Sequence, residues 1–422
     1  MEYVVALEWE IVEARHGGCD GRDRQDVARS IFSEAAGIQN TRLASTVRKH
    51  AERTLQLRGI NAMLTLAQSV PRIVAPPDLF DSDPLRLAVE NGIVDLKTGS
   101  LLPHAKENYV TRISPVVHDS KARCPSFEAF IERIFDGDRE LIAYVQRVLG
   151  YCLTGYTKEQ VLFFLYGTGA NGKSTFVNVI RALLGQDLFC ATQSETFMLQ
   201  RGGRSSSNDI ARLQGIRVTA ATEVRGSSML NESLIKDLTG GDAVTARYLY
   251  REYFDFKPTL KLVMVGNHKP VIHGDDDGIW RRFHVIPFLI RIPDSERDPE
   301  LLGKLEKELP GILNWALAGC REWLAKGLLP PKTVQGAINE YRSEMDVLGN
   351  FIEERCLVGD QHSVRAQELY MAYKGWCAAN SLRPLTGTRF GRKMAERHKR
   401  TATKTGRVYH GISIKPYASN EE

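Results

Sequence analysis

No C-x-x-C pair occurs anywhere in the 422 residues. The seven cysteines, at positions 19, 124, 152, 190, 320, 356 and 377, are scattered and odd in number. Neither a zinc site nor a disulfide framework is indicated, and reduced thiols are expected. No apolar run is long enough to span a bilayer, and no secretory leader is visible at Met1, so a cytoplasmic protein without membrane contact is expected. An excess of one charge is also missing. Lys plus Arg number 56 against 51 Asp plus Glu, a net charge of +5, and so mild an excess says little about a nucleic-acid partner; where the basic residues sit matters more. The length suggests two to four domains with ample core.

What the chain does have is centred on Val161 to Ser174. Six apolar residues, Val161 to Tyr166, read as a buried strand running into a glycine-rich loop. The loop Gly167, Thr168, Gly169, Ala170, Asn171, Gly172, Lys173, Ser174 is a full match to G-x-x-x-x-G-K-[ST]. From Thr175 apolar residues recur at helical spacing until Gly185. Glycines let the backbone curl so that N–H groups face phosphate oxygens, and the helix start adds its positive end. Lys173, expected as an exposed charge, reaches the β- and γ-phosphates of ATP, and the Ser174 hydroxyl holds Mg²⁺. The competing reading is an ordinary glycine-rich turn.

N-terminal to this centre, residues 1–79 read as a helical module, with helices over Asp23–Ala36 and Thr41–Gln68. A structural or oligomerisation collar is the favoured role. Residues 80–155 form a helix-rich lead-in, with turn signals at Asn91-Gly92 and Thr98-Gly99 between short strands.

C-terminal to it, Ile216–Ala221 reads as a second strand, ending in Thr222 and Glu223. A carboxylate at such a tip can hold Mg²⁺ through water and polarise the attacking water; a surface Glu is the alternative. Ala243–Phe256 suits a hairpin exposing Arg247, Arg251 and several tyrosines, which fits single-stranded nucleic acid as well as ordinary cross-strand aromatic pairs. A third run, Leu260–Val265, leads to Asn267, and Arg281 and Arg282 open the run that ends at Phe288.

Taken in order, GTGANGKS, Thr222-Glu223, IKDLTGGD with ARYLY, KLVMVGNHKP and GIWRRFHVIPF resemble the helicase half of the phage/plasmid and poxvirus-type primase-helicases. These are superfamily 3 helicases of the AAA+ class. The resemblance runs from about Phe80 to Phe288. It implies an α/β AAA+ core with a parallel sheet over 156–345, and a hexameric ring with ATP at subunit interfaces. It also implies 3′ to 5′ translocation on single-stranded or forked DNA, in the bacterial cell or host of a mobile element. By position, Lys173 and Ser174 match Walker A, Glu223 the Walker B acid, Asn267 sensor 1, and the 243–256 hairpin the pore hairpin. Arg282 matches the arginine finger, with Arg281 as competitor. The second acid usual beside Glu223 is missing, which leaves Mg²⁺ ligation in doubt. A catalytic primase domain needs more than the ~80 residues that precede the lead-in, so no primer synthesis by this chain is expected, and a separate primase or polymerase is the implied partner.

Residues 346–422 read as a winged-helix-like basic domain: helices over Arg365–Ala379 and Thr386–Arg397, then a hairpin around Thr405-Gly406. Arg389, Arg392, Lys393, Arg397, Lys399, Arg400, Lys404 and Arg407 make the densest basic patch, against one acid, Glu396. It is a candidate DNA contact, a solvated basic face being the alternative. An ATP-driven DNA helicase of a mobile-element replication system is the expectation. A non-translocating initiator or loader ATPase is the first rival, and a small-molecule P-loop kinase the second.

Overall fold

The computed structural model describes residues 4–5, 31–67, 74–76, 79–199, 207–223, 228–272, 277–380, 382, 384–403 and 406–416. The chain forms two compact units, residues 1–337 and 338–422. In the first, the described N-terminal residues include helices α1 (Thr41–Thr54) and α2 (Leu57–Ala67), and Val4–Val5 pairs antiparallel with Val74–Ala75. The single helix expected over 41–68 is broken at Leu55, where the chain leaves α1. The Asn40 side chain caps α1 by accepting from the N–H groups of Arg42 and Leu43. Most of the helix expected at Asp23–Ala36 lies outside the described residues.

A small four-stranded sheet follows, from β1 (Arg86–Val89), β2 (Gly92–Asp95), β3 (Leu101–Leu102) and β4 (Ile113–Ser114), in the order β3-β2-β1-β4. The turn signals at Asn91-Gly92 and Thr98-Gly99 fall between paired strands, β1 with β2 and β2 with β3. Helices α3 (Pro125–Ile134) and α4 (Arg139–Cys152) lead to the main sheet.

That sheet has five parallel strands: β5 (Leu162–Tyr166), β6 (Phe189–Gln193), β7 (Val218–Thr222), β10 (Lys261–Gly266) and β11 (Phe283–Pro287). Their order is β11-β5-β10-β7-β6. The central strands β5, β10 and β7 are near-continuously buried, as a parallel sheet covered on both faces requires. Helix α5 (Lys173–Leu188) connects β5 to β6 and breaks at Gly185, where φ is +66°. Edge strand β6, FCATQ, was not legible in the sequence, because only its first two residues are buried. Between β7 and β10 lie helix α6 (Glu232–Gly240) and a hairpin of β8 (Val244–Ala246) and β9 (Phe254–Phe256).

Helix α7 (Leu309–Lys326) packs on α4 at glycine contact points. A Cβ on Gly150 would meet the Cys320 nitrogen at 2.1 Å, and one on Gly319 the Gln146 carbonyl at 2.0 Å. Here glycine is required by the close approach of two backbones. Leu317 and Trp323 are core residues, whereas Trp315 and Leu324, which the sequence also suggests for the core, are half-buried, and the chain breaks between α7 and α8 (Lys332–Met345) at Pro330-Pro331.

His284 of β11 is buried and lies 2.5 Å from the Tyr144 hydroxyl of α4. Burial pulls its pKa down to about 4. The unfolded chain therefore takes a proton near pH 6.5 that the folded chain refuses, and stability falls as pH drops from about 6.5 to about 4. The expected loss is on the order of 3 kcal/mol at pH 4. Urea midpoints at pH 7 and pH 4.5 should differ less in His284→Asn than in the wild type. An identical drop in both would rule His284 out as its cause.

The second unit has its own core, built on Leu348, Phe351, Tyr373, Phe390 and Tyr409. Its elements are α9 (Val347–Arg355), β12 (Cys356–Arg365), α10 (Ala366–Ala379), α11 (Gly387–Arg397), β13 (Arg400–Thr403) and β14 (Gly406–Ile414), with sheet order β12-β14-β13. The two helices and the final hairpin fall where the sequence indicated. Strand β12 was not anticipated; its pairing with β14 shifts register between Val358 and Ser363, and most of its residues are exposed.

Candidate nucleotide and DNA sites

Glycine-rich residues 167–172 join β5 to α5. Gly169, Ala170 and Gly172 have φ of +104°, +50° and +84°. Left-handed residues in succession turn backbone N–H groups to one side and build a concavity suited to anions. Gly167 has no room for a side chain: a Cβ would meet the Phe288 carbonyl at 2.2 Å. The loop is held from behind, where Asn171 Nδ2 donates to the Phe288 carbonyl at 2.8 Å and the Ile292 N–H to the Ala170 carbonyl at 2.8 Å.

Lys173 is 5 % exposed, which corrects the expectation of an exposed charge. Its Nζ donates to the Gly167 carbonyl at 2.7 Å and to Asn171 Oδ1 at 2.9 Å. Burial lowers its pKa. The cation thus bridges the first and fifth residues of the loop, and its own glycines shield it. Ser174 and Thr168 are exposed and Thr175 is half-buried.

Parallel registry sets the rest of the site. Gly266 pairs with Tyr166, and Met264 with Ala221. Gly167, Asn267 and Glu223 therefore leave the tips of three adjacent strands, β5, β10 and β7, at the same edge, with strands spaced about 4.8 Å apart. Both Asn267 and Glu223 are exposed. Glu223 sits in the left-handed region at φ +63°, a costly conformation for a residue with a Cβ. The Ser194 hydroxyl donates to its carbonyl at 3.4 Å.

The two arginines differ sharply. Arg282 is 7 % exposed. Its Nε donates to Thr239 Oγ1 at 3.1 Å, and its terminal nitrogens to the Gly278 carbonyl at 2.5 Å and Gln160 Oε1 at 3.3 Å. Arg281 is exposed and reaches Gln160 Oε1 at 3.5 Å. Gln160 was missed in the sequence. Nothing local marks it, since its partners lie 80 to 122 residues away.

In the β8–β9 hairpin Val244 pairs with Phe256 and Ala246 with Phe254. Its base is anchored: the Arg247 N–H donates to Ser207 Oγ, and the Tyr248 hydroxyl to the Ala211 carbonyl. Its tip is open, with Arg247, Leu249, Tyr250, Arg251 and Tyr253 exposed and Tyr250 at 96 %. The Arg247 guanidinium lies over the Tyr253 ring at 4.7 Å.

In the second unit Arg389, Arg392, Lys399, Arg400 and Arg407 are exposed and Lys393 is half-buried. Arg397 is committed to Asp346, with two contacts of 2.7 and 2.9 Å from one nitrogen. Lys404 lies outside the described residues.

A strand, glycine-rich loop and helix, with an amide and a carboxylate at neighbouring strand tips of a parallel sheet, define a mixed α/β protein. Three family profiles match the chain: "D5 N terminal like" over residues 7–136, a family of unknown function (DUF5906) over 165–282, and "Poxvirus D5 protein-like" over 343–409. Two of these matches are D5-type, at 7–136 and 343–409, and together with the relatives they support a likeness to the D5-type primase-helicase family. Relatives include a protein of Acanthamoeba polyphaga mimivirus named "Putative helicase", 29% identical over 71% of this chain and 34% of that one. Another "Putative helicase", from Invertebrate iridescent virus 3, is 26% identical over 71% and 35%. A "Putative primase" of African swine fever virus is 23% identical over 71% and 34%. The chain thus spans about a third of the length of these relatives. Among solved structures, the apo NrS-1 C terminal region aligns over 84% of this chain and 91% of its own at 11% identity and a TM-score of 0.46, too low to carry an argument. No described helix is long and apolar enough to cross a membrane.

Proposed function

We propose that this chain is the ATP-driven motor of a DNA replication helicase of the superfamily 3, AAA+ type, working as a hexameric ring with ATP bound between neighbouring subunits. The observation that carries the reading is the convergence of Gly167, Asn267 and Glu223 at one edge of the parallel sheet. Each residue then has a role. Lys173 exchanges the Gly167 carbonyl and Asn171 Oδ1 for β- and γ-phosphate oxygens, while loop N–H groups from Thr168 to Thr175 cradle the chain of phosphates. Ser174 and Glu223 would hold Mg²⁺, which would supply charge neutralisation at the phosphates. Glu223 takes the proton of the attacking water, and Asn267 orients that water.

The finger must reach a neighbour's nucleotide, so it must be exposed in its own subunit. Arg281 meets that condition; Arg282 is occupied by Thr239, Gly278 and Gln160. We therefore assign the finger to Arg281 and a positioning role to Arg282, reversing the order of preference from the motif alone.

For DNA, the exposed hairpin tip offers arginines for phosphates and tyrosines for base stacking. We read the second unit's helix, strand, helix, helix and two-stranded hairpin as winged-helix-like, and its basic face as a second phosphate contact. The relatives' names favour large DNA viruses as the setting, alongside the phage, plasmid and mobile-element settings. A separate primase or polymerase is the expected partner.

The test is strand displacement on forked DNA. ATP should drive unwinding, and a non-hydrolysable analogue should not. ATPase without strand displacement would favour the initiator or loader, and ATPase indifferent to DNA would favour neither. The C-terminal role has its own readout. Arg392→Gln, Lys399→Gln and Arg407→Gln together should leave basal ATPase unchanged and flatten the salt dependence of single-strand binding by roughly 2 in log–log slope. An unchanged slope would assign this face to a protein partner.

A further inference from the structure

A cavity of about 440 Å³ opens at the far end of the main sheet from the P-loop. Its lining includes Gln160, Leu188, Arg217 and Thr259, which lie one or two residues before strands β5, β6, β7 and β10. Five- to six-residue strands put this end roughly 15–20 Å from the tips that carry Gly167, Glu223 and Asn267. It is separate from the subunit's own P-loop, though Gln160 in its lining also accepts from Arg281 and Arg282.

Its walls carry four cations, Arg112, Lys158, Arg217 and Lys257. Arg217 is the deepest, at 9 % exposure. Its guanidinium donates to the Leu153 and Arg86 carbonyls, which take two of its five N–H groups. Arg112 donates to the Asp187 and Gln214 carbonyls at 2.7 and 2.8 Å. It lies tight against Gly215, where a Cβ would meet its Nε at 2.3 Å. Lys158 sits over the Trp323 ring at 4.3 Å, and Lys257 is exposed. Just behind, buried Lys261 donates to the Thr154 and Thr259 carbonyls.

Among the described residues none of the four forms an ion pair. The one acid in the lining, Asp81, accepts from the Thr111 N–H and hydroxyl. Carbonyl dipoles solvate these cations but do not neutralise them. Asp81 in the lining and Asp83 nearby offset part of this charge, and four cations against them leave the cavity net positive, which is costly without a further anion. Burial lowers the Arg217 pKa to about 10, Arg112 adds to that shift, and Asp81 and Asp83 oppose it.

We propose that this cavity is a second anion site that takes a di- or triphosphate group, either as pyrophosphate or as the phosphate tail of a nucleotide. The enclosure around Arg217 suits a small polyphosphate better than a passing strand. The volume lies in the range of small-ligand pockets, and Tyr156 in the lining offers a ring for a base.

The test uses the full chain with Lys173→Ala, which weakens the P-loop. Pyrophosphate is titrated by calorimetry without Mg²⁺, and the melting temperature is followed with and without it. Binding should persist and raise the melting temperature by mass action. Adding Lys158→Gln and Lys257→Gln should weaken it about tenfold or more, as loss of two charge-assisted contacts implies. Lys257→Glu alone, at an exposed position, should also weaken it and guards against misfolding of the double change. ATP binding tighter than pyrophosphate in the same background would identify a nucleotide as the ligand, and equal affinity the phosphates alone; both support the site. Pyrophosphate affinity that is the same with and without the Lys158 and Lys257 changes would overturn it, as would no binding at all in the Lys173→Ala protein.

Discussion

Glu223→Gln is expected to bind ATP within about threefold of the wild type and to hydrolyse it at least a hundredfold more slowly. The change removes a proton acceptor worth about 10²–10⁴ in rate and leaves the loop that holds the phosphates untouched. Glu223 is exposed at a strand tip, so the isosteric amide should not alter the melting temperature. Lys173→Ala should behave differently. It loses ATP binding at the P-loop as well as turnover, and it strips the donor from the Gly167 carbonyl and Asn171 Oδ1. Because Lys173 is buried in the loop, a loss of about 1–2 kcal/mol of stability should accompany the loss of function. Equilibrium nucleotide binding, single-turnover hydrolysis and thermal melting separate the two variants. Wild-type turnover in Glu223→Gln would remove the acid from the mechanism.

The second large effect concerns the arginine pair. Arg281→Ala should bind ATP near normally, melt at the wild-type temperature and hydrolyse ATP roughly a thousandfold or more slowly, as other arginine fingers do. Arg282→Ala should instead melt lower, by an amount equivalent to about 2–4 kcal/mol, because Thr239, Gly278 and Gln160 lose a buried partner. Mixing is the sharp measurement. Arg281→Ala subunits keep intact P-loops and Lys173→Ala subunits keep intact fingers. Rings assembled from both should regain some ATPase wherever a good P-loop faces a good finger. If such mixtures remain inactive while both subunit types are found in the same rings, a finger supplied in trans by Arg281 has to be abandoned.

The strand, loop and helix at 161–184 were legible from residues alone because their causes are local. Glycine permits the positive φ values of the loop, and apolar periodicity selects a helix for the stretch that follows. The same holds for α10, α11 and the β13–β14 hairpin of the second unit, each written in a short window of sequence. Strands β6 and β12 were not legible, since each has few buried residues and takes its conformation from a neighbouring strand.

Sequence by itself therefore determined the phosphate loop and the order of chemical groups along the chain, since short-range sterics and spacing decide them. Tertiary structure alone decided which groups meet and which face water. Parallel pairing brought Gly167, Asn267 and Glu223 to one edge across separations of 44 to 100 residues. Packing buried Lys173 and Arg282 and left Arg281 exposed, although the two arginines are adjacent and chemically identical. It also gathered Arg112, Lys158, Arg217 and Lys257 around one cavity at the opposite end of the sheet. Burial depends on what the rest of the chain puts beside a residue, and no local pattern carries that information.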